Sequence, residues 1–261
     1  MELITGMDVY CVRAFSSERF SGNPAAVCIV DEFPQEKQHI ATAINFSETV
    51  FVKPYKKNIF LIRWFSPKDE APLCGHATMA AAYMINKKYG FSMMTLIHRQ
   101  GVICVHVDAR DYVHMMMPIR ELEALTVTPL HKTCVPGEII AAYTDHVIDV
   151  FVLPTEHDVL RYQPDFEKIS QLNKRALTIT ARAKEFDYVA RYFAPRVGID
   201  EDPFCGSVNC RLVPYWAKVL GKNTLSSYQL KGCSEFILGA DSIEFIAEAE
   251  LYEERKLMAT A

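Results

Sequence analysis

Several sequence features that would identify a functional class are absent from these 261 residues. No apolar run approaches the about 18 residues that a membrane-spanning helix requires. The chain starts with Met-Glu-Leu-Ile-Thr-Gly, which lacks the basic and apolar segments of a secretory signal peptide. We therefore expect a cytoplasmic protein that has no membrane partner.

Basic clusters and nucleotide-binding motifs are also missing. The formal net charge is −4, and the longest basic runs are pairs such as Lys56-Lys57. A nucleic-acid-binding surface needs a basic patch or stripe, so nucleic acid is excluded as a partner. The sequence contains no glycine-rich dinucleotide fingerprint and no P-loop, and we expect no cofactor. A small molecule is the expected partner.

Cysteine is too sparse for a disulfide framework, because eight residues are spread over 261 and no Cys-x-x-Cys occurs. Cys11, Cys28 and Cys104 lie inside apolar, strand-like stretches, where packing in the core is the expected role. Cys74 and Cys205 lie outside such stretches. Zinc-ligand residue types are present, but they lack the paired spacing of a zinc site, so we expect no metal.

Hydrophobic residues make up half of the chain, which is enough for a full core. Short apolar segments separated by Gly, Pro, Asn and Asp predict a strand-rich α+β protein. The predicted strands are 8–15, 25–30, 49–53, 59–65, 101–107, 112–117, 138–144, 147–153, 176–181, 186–194 and 235–247. The predicted helices are 35–46, 76–88, 156–161, 165–172 and 206–220. The last helix carries an apolar stripe that we expect to face the core, formed by Val208, Leu212, Tyr215, Trp216 and Val219.

One short motif occurs twice. Ala-Pro-Leu-Cys-Gly (71–75) returns in the second half of the chain as Asp-Pro-Phe-Cys-Gly (202–206). When Cys74 is aligned with Cys205, Asp69, Glu70, Pro72 and Gly75 match Asp200, Glu201, Pro203 and Gly206. A repeat spaced by about half the chain length indicates two similar domains with a ligand site between them. We expect domains at 1–118 and 119–261, with the option that the last strand returns to the first domain.

The repeated motif places Cys74 and Cys205 at the N-termini of two predicted helices. A helix N-terminus offers unpaired N–H groups, which can bind a carboxylate and lower the pKa of a nearby thiol. Two such thiols facing each other would suit removal of a proton from one face of a carbon and its return on the other. The alternative is that both cysteines only fill space beneath their turns.

Four ordered segments resemble the PhzF-like phenazine-biosynthesis family. They are FSGNPAAVCIV (20–30), NFSETVFV (45–52), RWFSPKDEAPLCGHATMAAAYMI (63–85) and GIDEDPFCGSVNCRLVPYWAKVLGK (198–222). The resemblance implies the diaminopimelate epimerase-like fold, in which two similar domains each wrap a β-barrel-like sheet around a central helix. It also implies an active site in the interdomain cleft.

The resemblance assigns roles to individual residues. It implies that Glu48, in the family's Ser-Glu-Thr motif, carries the proton and that His76 and Asp202 assist. Burial raises the pKa of a carboxyl group toward neutrality, so that one carboxylate can both take and return a proton. The substrate-binding residues that the resemblance implies are Asn23, Gly75, Ala77, Gly206 and Ser207.

Each of the three proton-handling candidates has an ordinary structural alternative. Glu48 could be an exposed carboxylate at the start of a strand. His76 could be a helix-start histidine whose hydrogen bonds are satisfied, and Asp202 could cap the turn that follows it.

Departures from the family keep several functions open. Many members have Thr in place of Cys205 and Ala-His in place of Val208-Asn209, whereas Cys74 and Cys205 match the two catalytic thiols of diaminopimelate epimerase. The leading hypothesis is a cofactor-independent isomerase or epimerase of a small, amino-acid-derived carboxylate, with acid–base catalysis by Glu48. The alternatives are a two-thiol racemase or epimerase and a carboxylate-binding protein without catalysis. The resemblance also implies a homodimer.

Overall fold

Seventeen β-strands and six α-helices form in residues 6–257, the part of the chain that the computed structural model describes. The first elements are β1 (Asp8–Ser16), β2 (Asn23–Ile29), α1 (Lys37–Ile44), β3 (Thr49–Lys56), β4 (Ile59–Phe65), β5 (Glu70–Ala71), α2 (Gly75–Tyr89), β6 (Met93–His98), β7 (Gly101–Val107) and β8 (Tyr112–Pro118). They are followed by β9 (Glu123–Ala124), α3 (Pro129–Cys134), β10 (Ala141–Thr144), β11 (Ile148–Val152), α4 (Glu156–Arg161), α5 (Phe166–Ser170), β12 (Ala176–Arg182) and β13 (Tyr188–Ala194). The last are β14 (Ile199–Asp202), α6 (Gly206–Leu220), β15 (Thr224–Tyr228), β16 (Cys233–Leu238) and β17 (Ser242–Lys256).

These elements divide into two compact units. Of the described residues, the first unit contains 6–116 together with 244–257, and the second unit is Met117–Ile243. The strand β17 begins in the second unit and continues into the first.

Eight strands of the first unit form a closed barrel. The strand β1 pairs antiparallel with β2 and β17, β2 runs parallel to β3, and β3 pairs antiparallel with β4. The ring continues through β4 parallel to β6, then through antiparallel β7 and β8, and β8 pairs with β17. Closure leaves no edge strand in this ring.

The helix α2 packs against β1, β2, β3 and β7 and fills much of this barrel. Eight of its fifteen residues are buried, and four of the eight are the alanines Ala77, Ala80, Ala81 and Ala82. Alanine favours a helix and lets neighbouring strands approach its backbone closely. The helix ends at Gly90, whose φ of 74° is the left-handed conformation that glycine adopts without strain.

The second unit repeats the same sequence of pairings. The strand β11 runs parallel to β12, β12 pairs antiparallel with β13, and β13 runs parallel to β15, which pairs with β16. The strand β10 pairs with β9 and β11, and the short β14 pairs with β13. The helix α6 packs against β15 and β16.

The repeat found in the sequence extends over the whole of both long helices. Each has fifteen residues, and the alignment of Cys74 with Cys205 also aligns their first residues, Gly75 and Gly206. The same alignment brings together the left-handed glycines at which they end, Gly90 and Gly221. The two units therefore share the placement of their helices as well as their strand order.

An interior proline distinguishes α6 from α2. Pro214 has no N–H and cannot donate to the carbonyl of Cys210, four residues before it. That carbonyl instead accepts a hydrogen bond from the N–H of Arg120 at 2.9 Å. The helix thus tolerates the proline because a backbone group outside the helix replaces the missing donor.

The α+β class and the barrel around a helix are confirmed, and Cys11 and Cys28 are buried as predicted. Cys104 is exposed, contrary to the prediction, because the inward positions of β7 belong to Ile103 and Val105. Val219 is 54% exposed rather than core-facing, since it lies beside the buried stripe near the end of α6.

The predicted strands also need corrections. The segment 235–247 is two strands, β16 and β17, separated by a turn in which Gly239 donates to the carbonyl of Ser242. The sequence pattern predicts no strand at β6 or β15. Each of these strands follows a long helix after a short connection, and neither has a strong strand pattern. Among residues 6–257, no helix is long and apolar enough to cross a membrane.

Candidate active site

The strand register of the first unit brings three predicted site segments to one end of the barrel. Asn23 begins β2 and Glu48 directly precedes β3, and these strands are parallel neighbours in which the N–H of Ala26 donates to the carbonyl of Glu48 at 3.0 Å. Because β4 is antiparallel to β3, its last residue, Phe65, lies beside the start of β3. Residue Phe65 pairs with β5, which leads into Cys74 and the start of α2.

Glu48 and Asn23 are buried at this end, with relative exposures of 8% and 2%. The alternative of an exposed carboxylate at a strand entrance is therefore wrong for Glu48. Burying a carboxylate costs free energy unless its surroundings compensate, so this position is unusual for a residue that only starts a strand.

The first turn of α2 carries Cys74, Gly75, His76 and Ala77. Cys74 is the N-cap, and its thiol lies 3.3 Å from Nδ1 of His76. The first intrahelical hydrogen bond runs from the N–H of Thr78 to the carbonyl of Cys74, so the N–H groups of residues 75–77 have no helical acceptor. These groups point along the helix axis toward its N-terminus, which suits an anion.

His76 is half-buried, and burial lowers its pKa to about 4. The imidazole is therefore neutral at pH 7 and has one N–H donor and one acceptor nitrogen. Ala77 is fully buried in the core, which leaves its backbone as the part able to contact a ligand. Gly75 is half-buried at the helix start.

The second unit places Cys205 at the N-cap of α6 in a matching arrangement. Its thiol lies 3.3 Å from Oγ of Ser207, as the thiol of Cys74 lies 3.3 Å from His76. Asn209 Nδ2 donates to the carbonyl of Cys205 at 3.3 Å, and Thr78 Oγ1 donates to the carbonyl of Cys74 at 2.6 Å. Gly206 is half-buried and Ser207 is exposed at the helix start.

Burial determines the chemistry of Cys205. The side chain is 7% exposed, and burial, reinforced by the charge of Asp202, raises the pKa of Cys205 to about 12. The contacts with Ser207 and with backbone N–H groups at the helix start favour the thiolate, but they are outweighed. The expectation that this helix N-terminus acidifies the thiol is therefore wrong for Cys205, which is protonated at pH 7.

Asp202 is the last residue of β14 and is half-buried. Its Oδ1 accepts the N–H of Phe204 at 3.0 Å, so it does cap the turn before α6. This turn holds the carboxylate close enough to Cys205 to influence the pKa of the thiol.

The positioning of Cys205 depends on a residue that the sequence did not indicate. Gln229 is buried; its Oε1 accepts the N–H of Cys205 at 2.9 Å, and its Nε2 donates to the carbonyl of Cys205 at 3.1 Å. The alignment of the two cysteines also relates Gln229 to His98 and Asn209 to Thr78. This alignment is the sequence signal from which Gln229 and Asn209 could have been predicted.

The predicted site residues thus form two sets. The first unit holds Asn23, Glu48, Cys74, Gly75, His76 and Ala77, and the second holds Asp202, Cys205, Gly206 and Ser207. That both sets act on one substrate stays a prediction. Within residues 6–257, no three His, Cys, Asp or Glu side chains are grouped in a way that could hold a metal ion.

Comparison with known proteins agrees with this architecture. A family model described as phenazine biosynthesis-like protein, PhzC-PhzF, matches residues 12–235. An uncharacterized isomerase of Pseudomonas aeruginosa is 36% identical over 228 residues, covering 85% of this chain and 86% of the relative. The crystal structure of a PhzF family protein from Enterococcus faecalis superposes with a TM-score of 0.91 at 31% identity, covering 97% of this chain and 99% of that chain.

A more distant likeness concerns the fold alone. A probable proline racemase from Agrobacterium radiobacter K84 has a TM-score of 0.67 at 11% identity, covering 96% of this chain and 92% of that one. Further curated relatives at 34% and 30% identity are also named isomerases. The chain therefore belongs to the phenazine biosynthesis-like (PhzC-PhzF) family and is an isomerase.

Proposed function

We propose that the protein isomerises a small, amino-acid-derived carboxylate without a cofactor, with Glu48 as the group that removes and returns a proton. The observation that carries this proposal is the burial of Glu48 at the barrel end where Asn23 and the first turn of α2 also lie. A carboxylate at such a position can exchange a proton with a bound substrate while bulk water is kept away.

The helix starts supply the binding groups in this proposal. The N–H groups of residues 75–77, and their counterparts at Gly206 and Ser207, are donors aimed at a carboxylate. The amide of Asn23 adds a hydrogen-bonding group at the same end of the barrel as Glu48. Because these donors are neutral, they would hold the substrate carboxylate without neutralising its negative charge.

His76 and Asp202 assist the proton transfer. A neutral imidazole can donate its N–H to an oxygen on which negative charge develops, and the low pKa of His76 keeps it neutral at pH 7. Asp202 is fixed by the N–H of Phe204 and can orient a polar group of the substrate. In this proposal both residues assist the main acid–base group rather than replace it.

A two-thiol mechanism is the second candidate. The 3.3 Å contact between the thiol of Cys74 and Nδ1 of His76 favours it, because an imidazole can take a thiol proton. The pKa of Cys205, raised to about 12, opposes it, because the second thiol must become a thiolate when it gives its proton to the substrate, and burial disfavours that thiolate. The isomerase names of the relatives disfavour the third hypothesis, a binding protein without catalysis.

Hydrogen exchange in D2O tests the proposal before the natural substrate is known. L- and D-amino acids and small unsaturated carboxylates are incubated with the protein, and deuterium uptake at carbon is followed by NMR. We expect Glu48→Gln to slow exchange by about 100-fold or more, the usual contribution of a general acid–base residue. The matched control is Glu32→Gln, because Glu32 is an exposed glutamate of the same unit.

The outcome also separates the alternatives. Exchange that survives in Glu48→Gln but disappears in Cys74→Ala or Cys205→Ala would assign the proton transfer to the thiols. Ligand binding without any exchange in the unmodified protein would support the binding-protein hypothesis. A cytoplasmic location and a homodimer stay predictions, and sedimentation of the purified protein tests the second.

A further inference from the structure

A cavity of about 180 Å³ in the first unit contains none of the ten predicted site residues. Its wall includes Arg63 and Trp64 from the end of β4, Glu70 of β5, His98 at the end of β6, and Arg99. The cavity therefore joins two cationic side chains, an indole and an imidazole around one open space.

The positive charges in the wall of this cavity outnumber the negative charges. Glu70 lies 3.0 Å from the guanidinium of Arg99 and 3.7 Å from that of Arg63. Two guanidinium groups and one carboxylate leave a net charge of +1. A guanidinium has five N–H donors, and each arginine has more donors than Glu70 can engage.

Trp64 provides a second, independent sign of a missing ligand. The side chain is 1% exposed, and its indole N–H has no hydrogen-bond partner within the described residues 6–257. Buried tryptophan N–H groups usually find an acceptor, because leaving one without a partner costs free energy. The N–H is closed to solvent at the cavity wall, so a ligand acceptor that reached it through a shift of this wall would remove the cost.

The second unit has an equivalent cavity of about 170 Å³, whose wall includes Arg191, Gln229 and Leu230. Trp64 pairs with Ala71 in the register of the first unit, as Tyr192 pairs with Asp202, the counterpart of Ala71 in the sequence repeat. The residue before Tyr192 is Arg191, so Arg191 and Glu201 correspond to Arg63 and Glu70.

Arg191 uses four of its five N–H donors within the protein. It binds both carboxylate oxygens of Glu201, at 2.7 and 2.8 Å, and its remaining Nη1 donates to the carbonyls of Val159 and Tyr162. The sequence repeat places Leu230 where the first unit has Arg99, so the second arginine and the looser ion pair are specific to the first unit, whereas a cavity is present in both units.

We propose that this cavity is a second binding site, which takes a small carboxylate between Arg63, Arg99 and the indole N–H of Trp64. The planar carboxylate matches the two parallel donors of a guanidinium, and one negative charge neutralises the net charge of the cavity. A phosphate dianion would instead leave an excess negative charge beside Glu70.

The charges of this cavity also influence the pKa of His98. Its ring packs edge-on against Trp64 at 5.3 Å, and its pKa is lowered by burial and by the positive charge of Arg63. An anion bound in the cavity would offset the positive charge of Arg63 and raise the pKa of His98. By linkage, carboxylate binding then strengthens as the pH falls through the pKa of His98.

Titration with sodium acetate tests the proposal directly. The chain has two tryptophans, so ¹⁵N-labelled protein gives two indole N–H signals, and Trp216→Phe assigns them. At constant ionic strength, acetate should move the Trp64 signal to saturation. We expect Arg99→Gln and Arg63→Gln to weaken this binding by about tenfold or more, the usual scale of a lost charge-assisted hydrogen bond.

The matched control is Arg110→Gln, because Arg110 is an exposed, ion-paired arginine of the same unit outside the cavity. It should bind acetate as the unmodified protein does, and Arg99→Gln should retain hydrogen exchange at the proposed active site. A Trp64 signal that does not move up to about 100 mM acetate would overturn the proposal. Equal affinity in Arg99→Gln and Arg110→Gln would do the same, and a response to phosphate alone would overturn the carboxylate assignment.

Discussion

At the scale of single residues, the two repeated cysteines differ in their surroundings. The thiol of Cys74 contacts a neutral imidazole, whereas the thiol of Cys205 contacts a hydroxyl and lies near the carboxylate of Asp202. Equivalent positions in a repeat therefore do not have equivalent chemistry, and this difference favours Glu48 over a symmetrical thiol pair.

The buried thiol leads to a prediction about cysteine reactivity. With a pKa of about 12, Cys205 has almost no thiolate at pH 8, and its side chain is buried. We expect iodoacetamide to modify Cys205 at least about 100-fold more slowly than Cys104, which is exposed. Peptide mass mapping of the native protein over time measures both rates. Comparable rates would show that Cys205 is an activated thiol after all.

At the scale of elements, each long helix is anchored by a side chain four residues after its N-cap. The hydroxyl of Thr78 holds the carbonyl of Cys74, and the amide of Asn209 links the carbonyl of Cys205 to the hydroxyl of Tyr188. These buried contacts fix the first turns from which the proposed substrate-binding N–H groups point.

Removing these anchors should cost different amounts of stability. We expect Thr78→Val to lower the free energy of unfolding by about 1 kcal/mol, because it removes one hydrogen bond and leaves the shape unchanged. Asn209→Leu should cost about 2–3 kcal/mol, because it also deprives the buried Tyr188 hydroxyl of an acceptor. Urea unfolding measures both, and Thr78→Ser is the control that keeps the hydroxyl. Equal losses would show that the Tyr188 contact contributes little.

At the scale of the whole molecule, the first barrel is closed by a strand from the far end of the chain. The strand β17 lies between β1 and β8, and its Phe245 is fully buried. Without this strand both β1 and β8 would become edges with unpaired backbone groups.

Barrel closure can be tested by a large-to-small substitution. We expect Phe245→Ala to lower the free energy of unfolding by about 3–5 kcal/mol, the usual cost of truncating a buried phenylalanine. Val102→Ala is the control, since Val102 is 58% exposed on β7 and should change stability by about 0.5 kcal/mol or less. Thermal unfolding followed by circular dichroism compares the two. A small effect of Phe245→Ala would mean that β17 contributes little to the barrel.

The sequence by itself determined the features that depend on local pattern. The limits of α6 match the prediction because an apolar period of 3.6 runs from Gly206 to the left-handed Gly221. The internal repeat and the family can be identified from short motifs whose residues are neighbours in the sequence. The same local pattern could not separate two strands across the turn at Gly239, and it gave no signal for β6 or β15.

Only the tertiary structure decided the properties that depend on burial and on distant partners. The pKa of Cys205 is set by desolvation, which competes with the local effect of a helix N-terminus and outweighs it. Gln229 reaches Cys205 from a distant part of the chain, and Glu70 meets an arginine from a strand before it and another from the segment after β6. Such contacts arise because folding brings together side chains that no local period connects, and they determine which charged groups are paired and which remain available to a ligand.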